Sequence, residues 1–167
     1  MNWDPWYPWL VLVHVIGAFT FVFAHGVSAH VSLKLRSERD SSRIAALLDI
    51  SGISISMLYI GLLLLLVGGI AAGFVGNHWG HLWIWLAIGI LVVMLGVMYA
   101  VASSYYAGLR RAAGLRGYGD KPGDPPSEPV SPEELMAMLA SPRPYWLAAI
   151  GGIGLLLIIG LMVLKPV

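Results

Sequence analysis

Residues Trp9 to Leu33 read WLVLVHVIGAFTFVFAHGVSAHVSL, one apolar run that nonetheless holds His14, His25 and His30. A helix needs about 20 apolar residues to cross a hydrocarbon core, so the run is long enough to span a bilayer. No other apolar run of the chain contains a histidine. At about 100° per residue, the step from His14 to His25 is three turns plus about 20°, which puts both rings on one side, roughly 16 Å apart. Ala18, Phe21, Ser28 and Ser32 continue that stripe at helical spacing. Ionisable groups within a span usually face the bundle interior, where they are candidates for function.

Composition fixes the class. Hydrophobic residues make up 58% of the 167 and charged residues 11%, against about 25% charged in soluble domains; mean hydropathy is +0.79. One compact membrane domain, residues 1–167, accounts for the length. A net charge of +1, with no basic patch interleaved with aromatics, excludes a nucleic-acid partner. With no cysteine, disulfides, thiolate metal sites and covalent haem attachment are excluded too.

Outward from the first run, the pattern gives four spans, at about 9–33, 53–74, 82–106 and 145–164. The opening residues carry no Lys or Arg, so they predict an uncleaved span with Trp3, Trp6, Tyr7 and Trp9 as an interfacial belt. Helix two is expected to begin near Ser42 and to carry Asp49, paired with Arg43 or His30, at the interface. Between spans three and four, residues 108–144 include GYGDKPGDPPSEPV, which cannot bury enough apolar surface to order itself. A capping box at Ser131-Pro132-Glu133-Glu134 then predicts a short helix to about 140, with Leu135, Met136, Met138 and Leu139 on the membrane surface.

The loops after spans one and three hold Lys34, Arg36, Arg39, Arg43, Arg110, Arg111, Arg116, Lys121 and Arg143, and the opposite side holds Lys165 alone. The positive-inside rule therefore predicts cytoplasmic basic loops and both termini outside. That gives an all-α, up-down bundle of four transmembrane helices in a bacterial inner membrane. Gly69 with Gly73, and Ala148 with Gly152, have the spacing that lets helices approach closely. Packing inside the bundle is the simpler use of these pairs, ahead of a homo-oligomer.

Two chemistries are open to the histidines. Imidazole is a good axial ligand for haem b, and His14 and His25 face one side. Counted down from the outer boundary, His25, Met57 and Met98 share a depth of about 22 Å, which allows a His/Met iron site. His78 and His81, in the loop between spans two and three, have the spacing to hold copper or zinc with Asn77 or His14 as a third ligand. The simpler alternative has no cofactor: each histidine bonds a Ser, a Tyr or a backbone carbonyl of a neighbouring helix. No catalytic motif is present, so no enzyme activity is assigned to the chain by itself.

LVHVIGAFTFVFAHGVSA (12–29), RIAALLDIS (43–51) and SPRPYWLAAIGG (141–152) together resemble a family of predicted bacterial integral-membrane proteins of unknown function. More distantly, the chain is similar to the membrane domain of copper-resistance D-like proteins. That resemblance implies a four-helix membrane bundle with copper handling or haem binding, and carries over His14 and His25. The function expected is therefore a small membrane protein that binds haem or a metal for electron transfer. Its alternative is an accessory subunit of a membrane complex, in contact with lipid and a membrane protein partner.

Overall fold

The computed structural model describes residues 4–121, 123 and 125–166; Trp3 of the expected belt lies outside them, as do Pro122 and Asp124 of the expected loop. The described residues form α1 (Tyr7–Leu35), α2 (Ser41–Val75), α3 (Leu82–Ala112), the short α4 (Pro132–Leu139) and α5 (Arg143–Leu164). The protein is all-helical, with four spans long and apolar enough to cross a membrane. In the most apolar stretch of each, only 17–22% of residues are buried. The remaining apolar surface needs lipid as its solvent. Polar side chains on that surface bond within their own helix, as Thr20 does to the Ile16 carbonyl and Ser56 to that of Gly52.

α1 and α2 form the tightest pair, and glycine makes it so. A Cβ at Gly61 would stand 2.6 Å from the Phe21 backbone nitrogen, and one at Gly68 2.5 Å from that of His14. Gly17 lies directly against the backbone of Leu64 and Leu65. The contacts recur every seven residues: His14, Phe21 and Ser28 of α1 meet Gly68, Gly61 and Ser54 of α2. A seven-residue repeat keeps one seam in register and winds the pair into a left-handed supercoil. Lipid tails are as apolar as leucine, so dispersion between close backbones and interhelical hydrogen bonds hold the seam.

α5 packs along α3, with Gly154 against the Met94 thioether, and touches α1 where Gly151 meets the His25 ring. Small residues do govern these contacts, but Gly152 of the expected Ala148–Gly152 pair meets no atom within 4 Å. Gly69 and Gly73 are used inside the chain, against the rings of His14 and Trp79.

The connections are more structured than their composition predicts. Asp40 caps α2, accepting from the Arg43 amide, and the Ser42 hydroxyl and that amide hold its carboxyl below the usual carboxylate range. Arg111 bonds Asp120, which also accepts from the Gly117 amide, so the described part of the α3–α4 connection folds back onto α3. The capping box forms, with Ser131 accepting from Glu134 N–H at 3.2 Å. Of the four large apolar side chains of its helix, Leu135 and Leu139 are buried with Leu35, Leu48, Tyr105 and Leu109 in the core at the basic end, and Met136 and Met138 are partly buried against it. Amphipathicity marks an apolar face without saying what covers it. Here α3 does.

Gly61→Ala is expected to destabilise the bundle by about 1–3 kcal/mol through overpacking of the seam, and Gly61→Leu to prevent its closure. Gly96→Ala, which meets open space, should be neutral or slightly stabilising. Thermal unfolding in detergent, followed by circular dichroism, distinguishes the two sites.

Candidate functional site

The histidines of α1 have three different surroundings. His14 Nδ1 is 2.7 Å from the Leu65 carbonyl oxygen of α2 and donates to it, while Gly68 and Gly69 pack against its backbone and ring. That carbonyl lies within a helix and accepts the imidazole proton in addition to its ladder bond. His25 is buried at 9% exposure, its Cε1 and Nε2 edge against Gly151 of α5, with no hydrogen bond to its ring among the described residues. His30 is exposed near the basic end of α1. One helix thus turns two histidines inward, and each meets glycine.

Below His25 the stripe becomes a chain of hydroxyls. Tyr106 of α3 donates to Ser32 Oγ at 2.6 Å, and Ser32 donates to the Ser28 carbonyl at 2.6 Å. Ser28 and Ser54 share a bond of 2.7 Å across the α1–α2 seam, and Ser54 donates to the Ser51 carbonyl. The hydroxyls of Ser28, Ser32, Ser54 and Tyr106 are satisfied, and α1, α2 and α3 are tied together. Such bonds contribute about 0.6 kcal/mol each in membranes. Ser28 and Ser32 stood out in the sequence stripe; Tyr106, Ser51 and Ser54 did not, although two serines within an apolar run were the available signal.

At His25 the Cε1–Nε2 edge of the ring lies against Gly151 of α5. Met57 is 36% exposed on α2, while Met98 packs among the apolar side chains of α3 and is not bonded to His25. Met98 packs against the clusters that include Val31 and Phe21 of α1, while Met57 lies on a more exposed face of α2. Depth along an axis is one coordinate, and the rotation of each helix sets the rest.

At the other end, the α2–α3 loop carries the second pair. Tyr7 of α1 bonds His78 Nε2 at 3.0 Å, and the His78 and His81 rings are 6.2 Å apart. His81 stacks on Trp83 at 6.4 Å, and the Lys165 ammonium lies 5.7 Å from the same indole. Asn77 is exposed with φ 53°, and His14 is held deeper by Leu65, so neither supplies the third ligand expected for a metal. Among the described residues no group of three His, Asp or Glu side chains is placed to hold a metal ion. Two imidazoles fall short of the four ligands of a closed site. Tyr7, which the sequence marked only as belt, is the residue that anchors this loop to α1.

Asp49 pairs with Arg110 of α3 at 3.1 Å, not with Arg43 or His30. Arg110 also donates to the Leu48 and Arg116 carbonyls and lies over Tyr118. It joins α2 to the α3–α4 connection. With Asp49 61% exposed, the pair lies at the surface of the basic end, where it contributes little to stability. Compared with protein-family models, curated proteins and solved structures, the chain matches none.

Burial, then the Lys165 charge and His81, push the His78 imidazole below its ordinary value. Because folding lowers its proton affinity, the unfolded chain takes up the proton first as the pH falls. The stability it contributes is complete above about pH 6.5 and is lost as the pH falls from there through the lower folded value. Melting temperature measured from pH 8 to pH 5 should decline in that window, and His78→Gln should flatten the decline. An unchanged decline in the variant assigns it to another group.

Proposed function

We propose that this protein is a non-catalytic accessory or structural subunit of a membrane complex, whose histidines hold its own helices together. The observation that carries the reading is the fate of the two inward histidines. His14 donates from Nδ1 to a helix carbonyl and His25 lies with one ring edge against a glycine, so both rings serve as interhelical contacts. A partner is supported by small residues that open outward. At Gly26 of α1 and Gly152 of α5 a side chain would meet no atom within 4 Å, which leaves places where another helix can approach closely. The partner is a membrane protein or a second copy of this chain, and lipid covers the rest.

The chain resides in the bacterial inner membrane, with the basic loops in the cytoplasm. The distribution of Lys and Arg supports this, through the bias that retains positive loops on the cytoplasmic side. Since the chain has no cysteine, single replacements report topology directly. Gly80→Cys in the α2–α3 loop should react with an impermeant thiol reagent on intact cells. Ser127→Cys should react only after permeabilisation. The reverse pattern overturns the orientation.

Purified in mild detergent from haem-replete cells, the protein should show no haem band in a reduced-minus-oxidised spectrum. On native gels it should run above the mass of one chain, and Gly152→Leu should shift it downward without lowering its melting temperature. A b-type spectrum lost in His25→Ala overturns the subunit reading in favour of electron transfer.

A further inference from the structure

Arg36 and Arg143, at the basic end, form no ion pair with a carboxylate among the described residues. The ion pairs among the described residues join Arg110 to Asp49 and Arg111 to Asp120. Arg36, at the end of α1, lies 4.6 Å from the Tyr145 ring centroid and donates to the Ala140 carbonyl. Arg143, the first residue of α5, lies 5.4 Å from the Tyr105 ring centroid, and its side chain makes no hydrogen bond. The Tyr105 hydroxyl donates to the Met138 carbonyl. Two cations are therefore held on aromatic faces at the end of the bundle where α5 begins.

One residue beyond Tyr145, Trp146 opens an apolar groove of about 620 Å³ between α3 and α5. Ile150 and Leu157 line it from α5; Met94, Gly89 and Trp85 line it from α3. It runs from the basic end toward the aromatic end. The volume falls within the range of ligand clefts, about 300–1,000 Å³. Gly89 gives it depth, since a side chain there would meet no atom within 4 Å.

We propose that this surface binds an anionic phospholipid, with its phosphate between Arg36 and Arg143 and an acyl chain along the groove. Charge complementarity selects the occupant: a transmembrane helix would fill the groove but leave both cations unanswered, whereas an anionic lipid satisfies both parts. Guanidinium suits phosphate because its planar donors pair with two oxygens at once. Basic pockets between spans at the membrane surface take anionic headgroups in this way. The inference goes beyond the subunit reading and does not depend on it.

The test is lipid retention by the full-length, delipidated protein in detergent, read by native mass spectrometry with phosphatidylglycerol or phosphatidylcholine added. Phosphatidylglycerol should bind about tenfold more tightly, given two cations near the headgroup. The preference should vanish in the double variant Arg36→Gln/Arg143→Gln. Should that variant fail to fold, Arg143→Gln alone should reduce the preference severalfold, because that side chain bonds no backbone group. Gly89→Phe, which fills the groove away from the arginines, should lower retention of the lipid. Equal retention of the two lipids overturns the proposal, as does an unchanged preference in the arginine variants or unchanged retention in Gly89→Phe. Full displacement by inorganic phosphate at millimolar concentration also overturns it, by assigning the site to a free anion.

Discussion

The rest of the structure depends on the close approach of α1 and α2. With lipid as solvent, burying leucine between helices yields little that lipid does not already supply. What remains is contact between backbones, and Gly17, Gly61 and Gly68 permit it by having no Cβ to intervene. Their effect extends along the helices because the contacts repeat every seven residues. Once the seam is set, its direction fixes which side chains of α1 face the remaining spans. His25, Ser28 and Ser32 are turned inward, and His30 outward, by the same rotation.

The seam also accounts for the histidines. A ring within a membrane must satisfy its polar atoms or lie where they do little harm. His14 does the first through the Leu65 carbonyl, within reach only because Gly68 and Gly69 bring α2 so near. His25 is covered by α5 at Gly151, where a larger residue would hold the helices apart. A buried imidazole in a span is a strong cue for ligation. Here the Cε1–Nε2 edge of His25 lies against Gly151 of α5.

The two ends of the bundle are built differently. At the basic end, α4 turns Leu135 and Leu139 into a core shared by all the helices, and Arg110 joins α2 to the α3–α4 connection. At the other end, aromatic rings do the joining: Tyr7 holds His78, Trp79 packs against Phe74 and Trp85, and Trp85 donates to the Trp79 carbonyl. Most cations are collected at one end and most indoles at the other, with Trp146 and Lys165 the exceptions.

Four apolar helices long enough to span a membrane and the Ser131 N-cap were legible in the sequence, because run length and caps are local and one-dimensional. The helical stripe through His14, His25, Ser28 and Ser32 was legible for the same reason: residue spacing alone sets which side of a helix a residue occupies. What the stripe faces is a matter of tertiary structure. Depth counting put Met57 and Met98 level with His25, yet the rotation of α2 leaves Met57 exposed and α5 supplies the neighbour, Gly151. Asp49 found Arg110, 61 positions away, because helix pairing and not sequence proximity chose its partner. Glycine spacing indicated close packing, but α5 uses Gly151 and Gly154 rather than Gly152. That choice rests on helix rotation, which is fixed only when all the spans pack together.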